Sequence, residues 1–140
     1  MTETQKTDFK HLFFEGIDHF NRHEFWDAHE SWEQIWLEAD ESAQFLQGLI
    51  QIAAAYHHIQ RGTIRGAGRL FEAAMKRLVP YPEGHCGLLR GDMLLEAREA
   101  EAAVLKALEE GGSVPVALAE RPRLHMAADW AERIPGNEHW

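Results

Sequence analysis

His29-Glu30-x-x-Glu33 is the stretch with the plainest capacity for chemistry. On a helix, His29 and Glu33 stand one turn apart, so an imidazole and a carboxylate can reach the same divalent ion. Glu30 projects about 100° away from His29, where it can serve as the catalytic base for a metal-bound water. A third ligand is required. His58 is the best candidate, because Gln47, Gln51 and His58 fall on one narrow line of the next helix. Gln51 then orients the ligands from behind, and Trp26, Gln47, Arg65 and Arg69 complete the pocket. The cofactor such a site calls for is a single divalent ion, zinc, manganese or iron.

Two helices must position these groups. From Ala43 to Gln60 there is no Asp, Glu, Lys or Arg, although 26% of the chain is charged, so a helix here is buried on most of its sides. Phe45, Leu49, Ile52, Tyr56 and Ile59 share one face of it, with Leu46, Ile50 and Ala53 beside them. The helix before it, over 24–38, has a core arc of Phe25, Ala28, Trp32, Ile35 and Trp36, extended by Trp26 and Leu37. His29 and Glu33 lie inside that arc, while Asp27, Ser31, Gln34 and Glu38 lie opposite, in water. A short polar connection, Ala39-Asp-Glu-Ser42, makes the two helices antiparallel neighbours, with Ser42 as N-cap.

The rest of the chain follows the same period. Phe9, Leu12, Phe13, Ile17 and Phe20 mark a first helix, and His23 closes it as a non-glycine type that tolerates left-handed backbone. After Arg61-Gly62, Thr63 caps a fourth helix lined by Ile64, Ala67, Phe71, Ala74, Met75 and Leu78. Gly48, Gly66 and Gly68 read as points of close helix approach. A loop with Pro80, Pro82 and Gly84 precedes a fifth helix over 88–108, with Leu89, Met93, Ala97, Ala100, Val104 and Leu108 inward. Beyond Gly111-Gly112, only 114–118 and 127–132 can form short helical pieces between prolines. The expected fold is therefore all-α, a bundle of about five helices built from antiparallel hairpins. Residues 1–8 form a flexible tail, 9–111 the bundle domain, and 112–140 a tail packed on it. Sliding the sequence by about 39 residues aligns Phe25 with Ile64, Ala28 with Ala67 and Trp32 with Phe71, a spacing like that of tetratricopeptide hairpins.

Composition narrows the partners. A net charge of -9 and a pI near 5.4 oppose binding to nucleic acid. The central helix has the length of a membrane span, but its glutamines and histidines would each be costly in hydrocarbon, so no membrane is expected. The single Cys86 has no partner for a disulfide, and the polar start Met-Thr-Glu-Thr carries no export signal, so the expected location is cytoplasmic.

The runs Phe20-Asn-Arg-His-Glu-Phe-Trp-Asp-Ala-His-Glu-Ser-Trp-Glu-Gln-Ile-Trp36, Phe45-Leu-Gln-Gly-Leu-Ile-Gln-Ile-Ala-Ala-Ala-Tyr-His-His58 and Arg61-Gly-Thr-Ile-Arg-Gly-Ala67 resemble, in that order, the small all-helical family catalogued as domain of unknown function 309. The resemblance extends over about 13–91 and implies an α-helical bundle with a metal-dependent hydrolase activity attached to the His-Glu motif. The family's pattern falls on His29, Glu30, Glu33, Gly48, Gln51, His58, Gly62, Gly66 and Ala67. It departs at His23, where the family has Gly, and at Thr63, where it has Asn.

Two readings of the same residues stand side by side. In one, the polar pocket between the second and third helices is a metal-dependent hydrolase site whose small-molecule ligand is unknown. In the other, the chain is a helical-hairpin interaction module, and His29, Glu33, Gln51 and His58 form a buried cluster that fixes helix register without catalysis. Trp26, Trp130 and Trp140 then mark a surface for self-association, and a homodimer is the expected assembly. A nucleophilic enzyme built on Cys86 is disfavoured, because His85 is adjacent but no third orienting group is evident.

Overall fold

The structure, a computed structural model, describes residues 8–140. The tail expected over 1–8 lies outside the described residues except for Asp8, whose carboxylate accepts from the His11 N–H at 3.1 Å and opens α1 (Phe9–Asn21). Phe9, Phe13, Ile17 and Phe20 are buried along one face of α1, as their spacing requires. His23 then turns the chain with φ of 62°, and its carbonyl accepts from the Gln60 amide at 2.8 Å. This left-handed residue lets α2 (Phe25–Trp36) start without a longer loop.

The core face of α2 is rotated from the expected one. Phe25, Ala28, Ser31, Trp32 and Ile35 are buried, whereas Trp36 is half-buried, Trp26 is 49% exposed and Leu37 is 72% exposed. The reason is that α2 is wedged between α1 and α3 (Ala43–Arg61), so the small Ser31 turns inward while the Trp26 and Leu37 edge turns out. Trp32 fills the wedge, and its indole N–H donates to the Phe13 carbonyl at 3.1 Å beneath Gly16.

The central helix α3 is buried along Phe45, Leu46, Leu49, Ile50, Ile52, Ala53, Tyr56 and Ile59, and it packs on both α2 and α4 (Ala67–Leu78). At Gly48, an added methyl would meet Leu78 Cγ at 2.6 Å and the Ala74 carbonyl at 3.3 Å, so this glycine sets the α3–α4 separation. The chain enters α4 through a 3-10 turn, Ile64–Gly66. Ser42 and Thr63 do not cap helices with their side chains. They bond instead to His85 and His58.

A fifth helix, α5 (Arg90–Glu110), packs on α4 through Met93, Leu94, Ala97, Ala100, Val104 and Ala107. Leu108, expected inward, is 42% exposed, and Ala107 takes its place. The pieces expected at 114–118 and 127–132 form a 3-10 turn, Val116–Ala119, that rests on α3, and the one-turn helix α6 (Trp130–Arg133). Trp140 is not a surface aromatic. It is 2% exposed, packs against Phe13 at 5.2 Å and Phe9 at 6.3 Å, and its carbonyl accepts from the Ser42 N–H at 2.5 Å. Trp130 is half-buried on Phe14. The protein is thus an all-α bundle of five long helices and a short sixth, without strands among the described residues.

Candidate functional site

The rotation of α2 moves His29 and Glu33 from the middle of the apolar arc to its edge, with side chains 18% and 44% exposed. His29 Nε2 lies 3.4 Å from Glu33 Oε2, and its buried Nδ1 has no hydrogen-bond partner. Its ring stacks on Trp26 with centroids 4.8 Å apart and planes 22° from parallel. Trp26 in turn meets His57 of α3 at 5.4 Å. The two helices are therefore joined at this end by an aromatic chain of His29, Trp26 and His57 rather than by hydrogen bonds.

In front of Trp26 lies a hollow of about 420 Å³, lined by Trp26, Ala54, His57, His58, Arg61 and Thr63. His58 Nδ1 is 3.0 Å from the Thr63 hydroxyl. His57 is held below the ordinary histidine value, first by burial and then by the Arg61 charge, His58 and His29. At neutral pH it therefore offers a neutral imidazole with one donor and one acceptor nitrogen. Arg61 stands exposed on the rim, where α3 ends at Gly62 with φ of 73°.

The residues singled out in the sequence do not all converge. His29, Glu33, Trp26 and His58 lie at this end of the α2–α3 pair, and Glu30 is exposed beside them. Gln51 lies on the other flank of the polar line, where its carbonyl oxygen accepts from Arg77 of α4 at 3.3 Å. Gln47 is half-buried further up the helix, toward its N-terminal end. Arg65 and Arg69 line a different hollow, of about 570 Å³, with Glu72, Glu101, Leu105 and Leu108 between α4 and α5. His57 and Arg61 were missed by the sequence reading. The signal was present in the three- and four-residue steps of Ala54, His57, His58 and Arg61, which trace a stripe beside the glutamine line.

Among the described residues, the group of three donors close enough to share an ion is His19, Glu24 and Asp27 at the α1–α2 junction, not His29, Glu33 and His58. There the His19 imidazole is already 3.0 Å from the Glu24 carboxylate. A separate trio joins Ser42, His85 and Cys86: the serine oxygen is 3.0 Å from His85 Nε2 and 3.9 Å from Cys86 Sγ. It has the third group that the sequence lacked, but Ser42 is 1% exposed and burial pushes the Cys86 thiol up to about 12. A shielded, protonated thiol is no nucleophile, so this trio fastens the loop before α5 to the start of α3.

No helix among the described residues is long and apolar enough to cross a membrane. Neither the curated proteins nor the solved structures give a match to the chain. Residues 13–70, which carry most of α1, all of α2 and α3 and the start of α4, match the model of the family described as Domain of unknown function (DUF309), the family that the three motifs resemble.

Proposed function

We propose that the hollow between α2 and the end of α3 is the working site of this protein, and that it binds a small planar anion such as an aromatic carboxylate or phosphate. The observation that carries this reading is the pairing of the exposed Trp26 face with Arg61, His57, His58 and Thr63 around one cavity. An indole gives a flat apolar platform, and a guanidinium with imidazole and hydroxyl donors suits an oxyanion. The α3 dipole opposes an anion here by about 0.3–1 kcal/mol, but one charged hydrogen bond contributes about 1.5–3 kcal/mol, so Arg61 outweighs it. The same positive charge disfavours a bare divalent cation at the mouth.

Benzoate and phenyl phosphate are the probes. Both should quench tryptophan emission and give heats of binding at millimolar concentration, and Trp26→Ala and Arg61→Gln should each abolish the response. Wild-type protein that responds to neither would overturn the proposal.

The metal-dependent hydrolase remains the second reading, favoured by the His29–Glu33 pair and by the buried, unpartnered His29 Nδ1. Here His29 and Glu33 hold the ion, His58 has to swing toward them from α3 to complete the set, and Glu30 serves as base. Zinc, manganese or iron retained in stoichiometric amount by tag-free protein, and lost in His29→Ala, would establish it in place of the first. The free, buried Cys86 supports work in a reducing compartment such as the cytoplasm. Of the three tryptophans only Trp26 is left exposed for self-association as a homodimer, with Leu37 exposed at the other end of α2, and light scattering that gives a monomer mass over a wide concentration range would remove this reading.

A further inference from the structure

Tyr56 is the largest polar side chain in the middle of α3, and its ring is fixed from two sides, stacked on Phe25 at 5.3 Å and edge-on to Phe71 at 5.1 Å. The residue is 1% exposed, yet among the described residues its hydroxyl has no hydrogen-bond partner. The oxygen is not among the fully enclosed unpartnered polar atoms, so it reaches open space where water or a ligand can bond to it. It points into a hollow of about 210 Å³, which α3 shares with Glu96, Glu99 and Ala100 of α5 and with Leu118 and Arg121 of the segment after α5.

The charges around this hollow are unpaired in a particular way. Glu96 and Glu99 stand on one wall and Arg121 on another, yet neither glutamate reaches the guanidinium at ion-pair distance. They nevertheless feel one another: Glu96 is pushed up first by burial and less by Asp92 and Glu99, while Arg121 and His125 pull it down. A cation near the two carboxylates and an anion near Arg121 would satisfy both walls at once, with the Tyr56 hydroxyl as a third anchor. One molecule can do this only if it carries both charges close together. At about 30 Å³ per water, the hollow has the room of about seven waters, enough for a compact molecule of single amino-acid size.

We propose that this second hollow binds a small zwitterion of the α-amino-acid type, with its carboxylate on Arg121, its ammonium between Glu96 and Glu99, and a hydrogen bond to Tyr56. It shares no lining residue with the α2–α3 hollow, so the two proposals stand or fall separately. Selectivity for small side chains follows from Ala100 and Leu118, which close the apolar part of the space.

Titration calorimetry of the full chain with glycine, L-alanine and L-serine tests the site directly. N-acetylalanine lacks the ammonium, alanine amide lacks the carboxylate, and both should bind at least about tenfold more weakly than alanine. Tyr56→Phe keeps the packed ring and removes only the hydroxyl, and Arg121→Gln changes an exposed residue, so both should fold as judged by circular dichroism. Each should weaken alanine binding by about tenfold or more. No heat from any of the three amino acids, equal binding of alanine and alanine amide, or unchanged affinity in both variants would each overturn the proposal.

Discussion

Replacing Gly48 by leucine tests whether α3 and α4 pack closely at the N-terminal half of α3. The first side-chain carbon at this position would lie 2.6 Å from Leu78 Cγ and 3.3 Å from the Ala74 carbonyl, well inside contact distance. Leu78 is 0% exposed and Ala74 contributes backbone, so neither can yield without moving the helices apart. Overpacking of this kind costs about 1–3 kcal/mol or more, against a helix-propensity gain of less than about 1 kcal/mol. The net expectation is a loss of about 1–3 kcal/mol. At about 2–4 °C per kcal/mol for a chain of this size, Tm should fall by about 2–12 °C. Gly66→Ala is the control: its added methyl would have only His58 Nε2 nearby, at 4.0 Å, and its φ of -83° suits alanine. That variant should be neutral or gain up to about 1 kcal/mol. Urea unfolding followed by circular dichroism measures both. A Gly48→Leu midpoint equal to that of the wild type would show that α3 and α4 do not meet at this glycine.

Three further expectations follow from the polar groups. His29→Ala should destabilise by about 1–2 kcal/mol through the lost stack on Trp26, whereas Glu33→Gln should cost less than about 1 kcal/mol because the pair is half exposed; equal losses by urea titration would contradict this. Ser42→Ala leaves His85 Nε2 without its hydrogen bond and should cost about 1–3 kcal/mol, so an unaltered thermal midpoint would remove the locking role of the trio. His57 and His85 are both held below their ordinary value of 6.5, chiefly by burial. The unfolded chain therefore binds more protons than the native one as pH drops below that value, and stability that is complete above pH 6.5 should decline below it. A Tm that stays level between neutral pH and pH 5 would show that neither imidazole is buried as described.

The helical period was legible in the sequence because every long helix here buries one continuous face, and burial forces apolar residues to recur at three- and four-residue steps. That argument recovered α1 and α3, while residue type alone pointed to the left-handed turn at His23 and the close approach at Gly48. It also brought His29 and Glu33 to the same turn of α2. Only the tertiary structure decided which way each polar stripe faced. Because α2 packs on two helices at once, its core face turned toward Ser31 and left Trp26 at the surface. Because α3 lies between α2 and α4, its polar line was split, with Gln51 going to Arg77 and His58 joining the neighbouring His57 and Arg61 stripe at the Trp26 hollow. A helical wheel gives the angle between two residues but not the direction of the neighbouring helix. The same limit hid Trp140, whose burial on Phe9 and Phe13 depends on a chain end crossing the bundle after three prolines, and the Tyr56 hollow, whose walls come from α3, α5 and the segment after α5.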